Sequence, residues 1–143
     1  MKFLVDTNII NWLIDGKIDK SGMPGDGEFV ATHVQIDEIN RTSDDERRAR
    51  LFLTLASSLS GLLQTETTVL GVSRLNFSKL GTGVIFTSVK NRLDGMNGGK
   101  PSNIRDALIA EVSIVNSHTL LTADQDLAKV TRDHGGMVRL FTI

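Results

Sequence analysis

The sequence predicts a small α/β domain in which a mostly parallel sheet is covered by helices on both faces, a three-layer α/β/α arrangement. Three observations predict it. Short β-rich apolar runs alternate with amphipathic stretches along the whole chain. Glycine-rich breaks separate several of them. The length, 143 residues at 40% hydrophobic and 23% charged, suits one domain spanning residues 1–143 with one sizeable core.

The elements follow in order. Phe3-Leu4-Val5 is a strand. Ile9, Ile10 and Trp12-Leu13-Ile14 form a short helix ending near Gly16, with Asp6 or Thr7 as its cap. Residues 16–28 hold four glycines and a proline and form a loop. Phe29 to Thr32 is a buried strand, and Val34, Ile36 and Ile39 mark a helix. Thr42-Ser43-Asp44 is a turn and cap, after which Arg47 to Leu63 reads as one long helix. Thr67 to Val72 is the third strand. Past Gly81-Thr82-Gly83, Val84 to Leu93 is helical, although its Val, Ile, Phe and Thr also suit a strand. Asp94 to Pro101 is a loop. Asn103 to Val115 is a helix with Ile104, Ala107, Leu108, Val112 and Val115 on one face. Thr119 to Thr122 is a strand, Asp124 to His134 a helix closed by Gly135-Gly136, and Val138 to Phe141 the last strand.

Composition removes several function classes. Cysteine is absent, which excludes a disulfide framework, a thiolate zinc site and a cysteine nucleophile. The net charge is −1, so any nucleic-acid contact must come from a local patch. The apolar start is broken by Asp6 and is too short for a signal peptide, and no stretch suits a membrane span, so a cytoplasmic protein is expected.

In a parallel sheet with helical crossovers, strand C-termini and helix N-termini share one edge, where ligands bind. Four separate segments deliver acids there. Asp6 follows the first strand, Glu38 lies early in the helix after the second strand, Asp106 is in the first turn of its helix, and Asp124 and Asp126 follow the Leu120-Leu121 strand. Each placement alone is ordinary, because helix N-termini favour acids. Together they repel one another and need a compensating cation. Oxygen ligands select Mg²⁺ or Mn²⁺. Arg105 is the one basic residue within these motifs, and its neighbouring helical position is expected to turn it away from Asp106.

Leu4-Val5-Asp6-Thr7-Asn8, Glu38 before Ile39, Asp106-Ala107-Leu108-Ile109-Ala110 and Leu121-Thr122-Ala123-Asp124-Gln125-Asp126-Leu127 resemble, in order and spacing, the four motifs of PIN-domain proteins. The resemblance covers nearly the whole chain. It implies a five-stranded parallel sheet in the order 3-2-1-4-5 and metal-dependent endoribonuclease activity, commonly as the toxin of a type II toxin–antitoxin pair of the VapC group. It implies Asp6, Glu38, Asp106 and Asp124 as catalytic metal ligands, with Asn8, Thr122 and Asp126 supporting them. RNA as substrate, an antitoxin protein as partner and a homodimer are the matching expectations. The glycine-broken basic stretch between Gly71 and Pro101 departs from that pattern.

On the second helix Glu38 is favoured over Asp37, mainly from the motif. Lys79, Lys90 and Arg92, with Arg74, Lys100 and Arg105, form a basic cluster that suits either RNA contact or a solvated face. His33 is near enough to the acids to be a modest candidate. Ser57, Ser58 and Ser60 have no histidine partner, which leaves a nucleophilic triad without support. A phosphoacceptor receiver domain would want an aspartate ending the third strand and a lysine ending the last, and neither is present. The alternative from another class is a catalytically inactive PIN-like module that binds RNA or protein.

Overall fold

The computed structural model describes residues 1–69, 72, 79 and 81–143. The elements are β1 (Lys2–Val5), α1 (Thr7–Ile14), a 3₁₀ turn (Lys20–Gly22), β2 (Glu28–Ala31), α2 (His33–Asn40), α3 (Asp45–Ser58), β3 (Leu59–Leu62), α4 (Val84–Asn97), α5 (Asn103–Asn116), β4 (Thr119–Thr122), α6 (Gln125–Asp133) and β5 (Met137–Leu140). The five strands form one parallel sheet in the order β3-β2-β1-β4-β5. The expected fold class and strand order are both present. Among the described residues no helix is long and apolar enough to cross a membrane.

Side chains of a strand alternate between faces, and two cores follow from that. On one face Leu4, Val30 and Leu120 pack with Val89, Leu93, Leu108, Val112, Leu127 and Val130 from α4, α5 and α6. On the other, Phe3, Val5, Ala31 and Leu121 pack with Ile9, Ile10, Ile39, Leu51 and Leu55 from α1, α2 and α3. The apolar face expected on α5 is there except for Val115, which is 49% exposed at the end of the helix.

Two boundaries differ from expectation. The helix expected to run to Leu63 stops at Ser58, and the chain passes directly into β3. The third strand is thus Leu59–Leu62 and not Thr67–Val72. Thr67 to Val69 is not strand, and residues 70 and 71 lie outside the described residues. The reason is position. β3 is an edge strand with only Leu59 half-buried, and its register on β2 shifts between Phe29 and Val30. An exposed edge imposes no apolar run, so its sequence carries little strand signal. The other difference is α4, which is helical and continues to Asn97 through part of the expected loop.

The chain's route from β2 into α2 fixes the working edge of the sheet. Thr32 caps α2, its hydroxyl accepting from the Val34 amide at 3.1 Å. The Thr32 amide donates to Gln35 Oε1 at 2.9 Å, and the Thr32 hydroxyl donates to the same oxygen at 2.6 Å. Gln35 Nε2 in turn donates to the carbonyl of Val5, the last residue of β1, at 3.0 Å. Gln35 is 1% exposed, so its amide replaces water for groups that have no other access to it. Replacing Gln35 by Leu keeps the volume and orphans the Val5 carbonyl and the Thr32 amide. Gln35→Leu is expected to cost about 1–3 kcal/mol, read as a lower urea midpoint at unchanged slope. A loss below roughly 0.5 kcal/mol would show that these bonds are dispensable.

Candidate functional site

β1, β2 and β4 end at one edge, and the residues that follow them begin helices. A crevice of about 470 Å³ opens there, lined by Asp6, Glu38, Asp106 and Asp124, with Asn8, Arg41 and Arg105 around them. A larger hollow of about 630 Å³ lies between α1 and α3, lined by Leu13, Ile18, Arg50 and Leu53 and by none of the four acids.

Asp6 is the most buried of the four, at 5% exposure. It sits at the N-cap position of α1 but does not cap it. Instead one carboxylate oxygen accepts from the Thr122 hydroxyl at 2.7 Å, and the Asp6 amide donates to the Leu121 carbonyl at 2.9 Å. The Thr122 hydroxyl oxygen also accepts from the Asp124 amide at 3.0 Å and from Asn8 Nδ2 at 3.4 Å. Asn8 Oδ1 accepts from the Ala123 amide at 3.2 Å. Asn8 and Thr122 thus tie the end of β1 to the end of β4 and fix the direction of the Asp6 carboxylate. Asp124 spends one oxygen on capping α6, accepting from the Asp126 and Leu127 amides at 2.9 and 3.1 Å.

The electrostatics follow from burial first. Burial, with the nearby Glu38 and Asp124 charges adding to it, raises the Asp6 carboxyl to about 7 against the pull of the Thr122 bond. Asp106 is raised to about 8, by burial and then by Asp6, Glu38 and Asp124. Burial also raises Glu38, while the Thr7 hydroxyl, Arg105 and Arg41 lower it. Mutual repulsion, the cause expected from the sequence, is real but comes second to desolvation.

Several residues stand elsewhere than expected. Arg105 does not turn away: it lines the same crevice and lowers both Asp106 and Glu38. A long side chain on the first turn of a helix reaches an open crevice from a wide arc, which simple helical spacing misses. Arg41, just past α2, is a second cation at the site that carried no sequence signal. Asp37 and the buried His33 do not line the crevice, and neither does Asp126 in the first turn of α6. Lys79, Lys90 and Arg92 lie outside it too. Each is bound to a carboxylate: Lys79 to Glu66 at 3.2 Å, Lys90 to Asp94 at 2.6 Å and Arg92 to Asp133 at 2.8 Å. Arg74 lies outside the described residues.

The donor set suits a hard divalent cation, since it is all carboxylate oxygen, and burial leaves two of its members holding protons near neutrality. As placed, no three acidic or histidine side chains among the described residues are close enough to share one ion. Closure on an ion would need these side chains to shift, and Asp106 makes no side-chain hydrogen bond among the described residues.

A pH dependence follows. Asp6 and Asp106 bind protons more tightly in the fold than in the unfolded chain, whose carboxyls titrate near 3.8. Stability without metal is therefore expected to fall as pH rises from about 4 to about 8, by at most about 1.4 kcal/mol per pH unit for each group, and then to level. Asp15, Asp94 and Asp133, lowered by their Arg47, Lys90 and Arg92 partners, act the opposite way and only below the ordinary carboxylate range. Urea unfolding in EDTA at acid and mildly alkaline pH checks this. Asp106→Asn should flatten the slope, and equal wild-type stability at both pH values contradicts the assignment.

No family model and no curated protein matches the sequence. Solved structures do match in three dimensions. VapBC2 from Rickettsia felis, crystallised with a DNA fragment from its promoter, aligns over 99% of this chain and 100% of its own, at TM-score 0.58 and 15% identity. A domain of a functionally unknown protein from Methanocaldococcus jannaschii covers 99% and 91%, at TM-score 0.54 and 14% identity. VapBC-5 from Mycobacterium tuberculosis, of the VapBC family of toxin–antitoxin systems, covers 99% and 98%, at TM-score 0.50 and 18% identity. At such identities the likeness speaks for architecture, and the architecture is that of a PIN-like α/β/α fold.

Proposed function

We propose that the chain is a Mg²⁺- or Mn²⁺-dependent endoribonuclease, working as the toxin of a toxin–antitoxin pair. The observation that carries the reading is the meeting of Asp6, Glu38, Asp106 and Asp124, from four separate segments, in one crevice at the C-terminal edge of the sheet. No fold requirement brings four acids to one place. Only Asp124 repays its position with a helix cap. The pairing with an antitoxin rests on the structural likeness to VapBC complexes.

In this reading Asp6, Glu38, Asp106 and Asp124 would hold the ion. The ion supplies a polarised water and charge for the leaving oxygen of a phosphodiester. Thr122 and Asn8 keep the Asp6 carboxylate aimed, in the manner of groups that orient metal ligands from behind. Asp6 and Asp106 give up their protons as the ion enters, so occupancy falls as pH drops below 7.

Purified protein is expected to cut a mixed RNA pool in Mn²⁺ and to stop in EDTA. Asp6→Asn, Asp106→Asn and Glu38→Gln should each lower the rate by about a hundredfold or more, while Asp37→Asn changes it only a few-fold. Cutting by this protein that persists in EDTA overturns the metal mechanism. A wild type that binds RNA without cutting it points to the inactive-module alternative. Independently of cleavage, Mn²⁺ should raise the melting temperature, the stabilisation reaching roughly 2.7 kcal/mol at a hundredfold excess over Kd. Thr122→Val should weaken Mn²⁺ affinity about 10- to 100-fold. Affinity unchanged in Thr122→Val would remove that hydroxyl from the site's machinery.

A further inference from the structure

Among the described residues there are eight arginines, and six of them are committed. Arg47 binds Asp15 and Asn11, Arg48 binds Asp45, and Arg92 binds Asp133. Arg50, Arg132 and Arg139 donate to the carbonyls of Ile14, Val138 and Gly22. The two that remain, Arg41 and Arg105, make no side-chain hydrogen bond or ion pair among the described residues. Both line the acid crevice. Arg105 Nε is closed off from solvent and has no partner.

Free guanidinium groups beside four carboxylates are unusual, because Arg and carboxylate normally close into a forked pair. Here the two arginines act on Glu38, and Arg105 on Asp106, through space alone, without ion-pair contact. Their donors therefore stay available for an anion that presents two oxygens. A phosphodiester does so through its non-bridging oxygens. The crevice also needs such groups. Four carboxylates against two guanidinium groups leave two formal negative charges when all are ionised, so one divalent ion brings the crevice to neutrality. Without the arginines the same ion would leave the crevice anionic and repel the substrate backbone.

We propose that Arg41 and Arg105 form the phosphate clamp of the site, holding the non-bridging oxygens of an RNA phosphodiester against the four carboxylates. The assignment rests on the nuclease reading. It moves the site of RNA contact away from Lys79, Lys90 and Arg92, whose charges are already matched, to two residues on the rim of the acids.

The test is fluorescence anisotropy with a labelled single-stranded RNA of mixed sequence in Ca²⁺, its integrity checked on a gel, alongside melting curves with and without Mn²⁺. Arg41→Gln and Arg105→Gln are each expected to weaken RNA binding about tenfold, the loss of one charge-assisted bond. Each should also lower the slope of log affinity against log salt by about 0.7. The Mn²⁺ melting shift should persist in both, since neither residue is a ligand. Arg105→Lys should keep the salt slope and still lose affinity, because a point charge cannot fork. It also guards against a Gln variant that fails to fold. If the Gln variants bind RNA with the wild-type affinity and slope, the clamp is wrong while the nuclease reading stands. If they lose the Mn²⁺ shift, the arginines serve the acids and not the phosphate, and the clamp is again overturned. A wild type with neither RNA binding nor a Mn²⁺ shift overturns both readings together.

Discussion

The structure turns on a carboxylate placed where water scarcely reaches it. β1 is the central strand, with β2 and β4 on either side, so the residue that follows it is covered almost whatever it is. That residue is Asp6. An ionised carboxylate there must be given what bulk water gave it, and the protein supplies the Thr122 hydroxyl, helped by the Thr7 backbone. The surrounding arrangement serves the same point. Asn8 and the Asp124 amide hold the Thr122 oxygen, and Gln35 holds the carbonyl of the residue before Asp6. Burial raises the Asp6 carboxyl to about 7, so a proton is held there near neutrality. Stability and site are set against each other at this position, as is common where a fold retains groups that burial disfavours.

The parts of the fold that the sequence made legible are those where burial dictates composition. Phe3-Leu4-Val5 and Leu120-Leu121 are buried strand segments; Asp6 follows the first directly, and Asp124 lies three residues after Leu121. The face of α5 was legible because Ala107, Leu108 and Val112 press on the sheet. β3 was not, because an edge strand of Leu59-Ser60-Gly61-Leu62 is mostly exposed and borrows its conformation from β2 mainly through backbone pairing. Gln35 was equally hidden. A glutamine within a short helix reads as surface, and only its distance from Val5 in space reveals a buried bridge.

Charge was harder to place than hydrophobicity. Lys79, Lys90 and Arg92 are near one another in sequence and look like a patch, but two of their three partners, Glu66 and Asp133, come from other parts of the chain. Arg41 and Arg105 are far apart in sequence and meet at one crevice. Apolar residues announce their environment through periodicity. A long charged side chain does not, since its head can lie several residues' distance from its backbone.

The four acids are not equally bound to the fold. Asp124 caps α6 and Asp6 accepts from Thr122, so each keeps a structural duty apart from any chemistry. Asp106 makes no side-chain hydrogen bond among the described residues, and its carboxyl is raised to about 8, first by burial. In a lineage released from selection for the chemistry, Asp124 would persist as a cap, and Asp106 would drift first because its replacement relieves the fold. Position 106, more than any other in the crevice, is therefore where descent with a working site can be told apart from descent with only the scaffold.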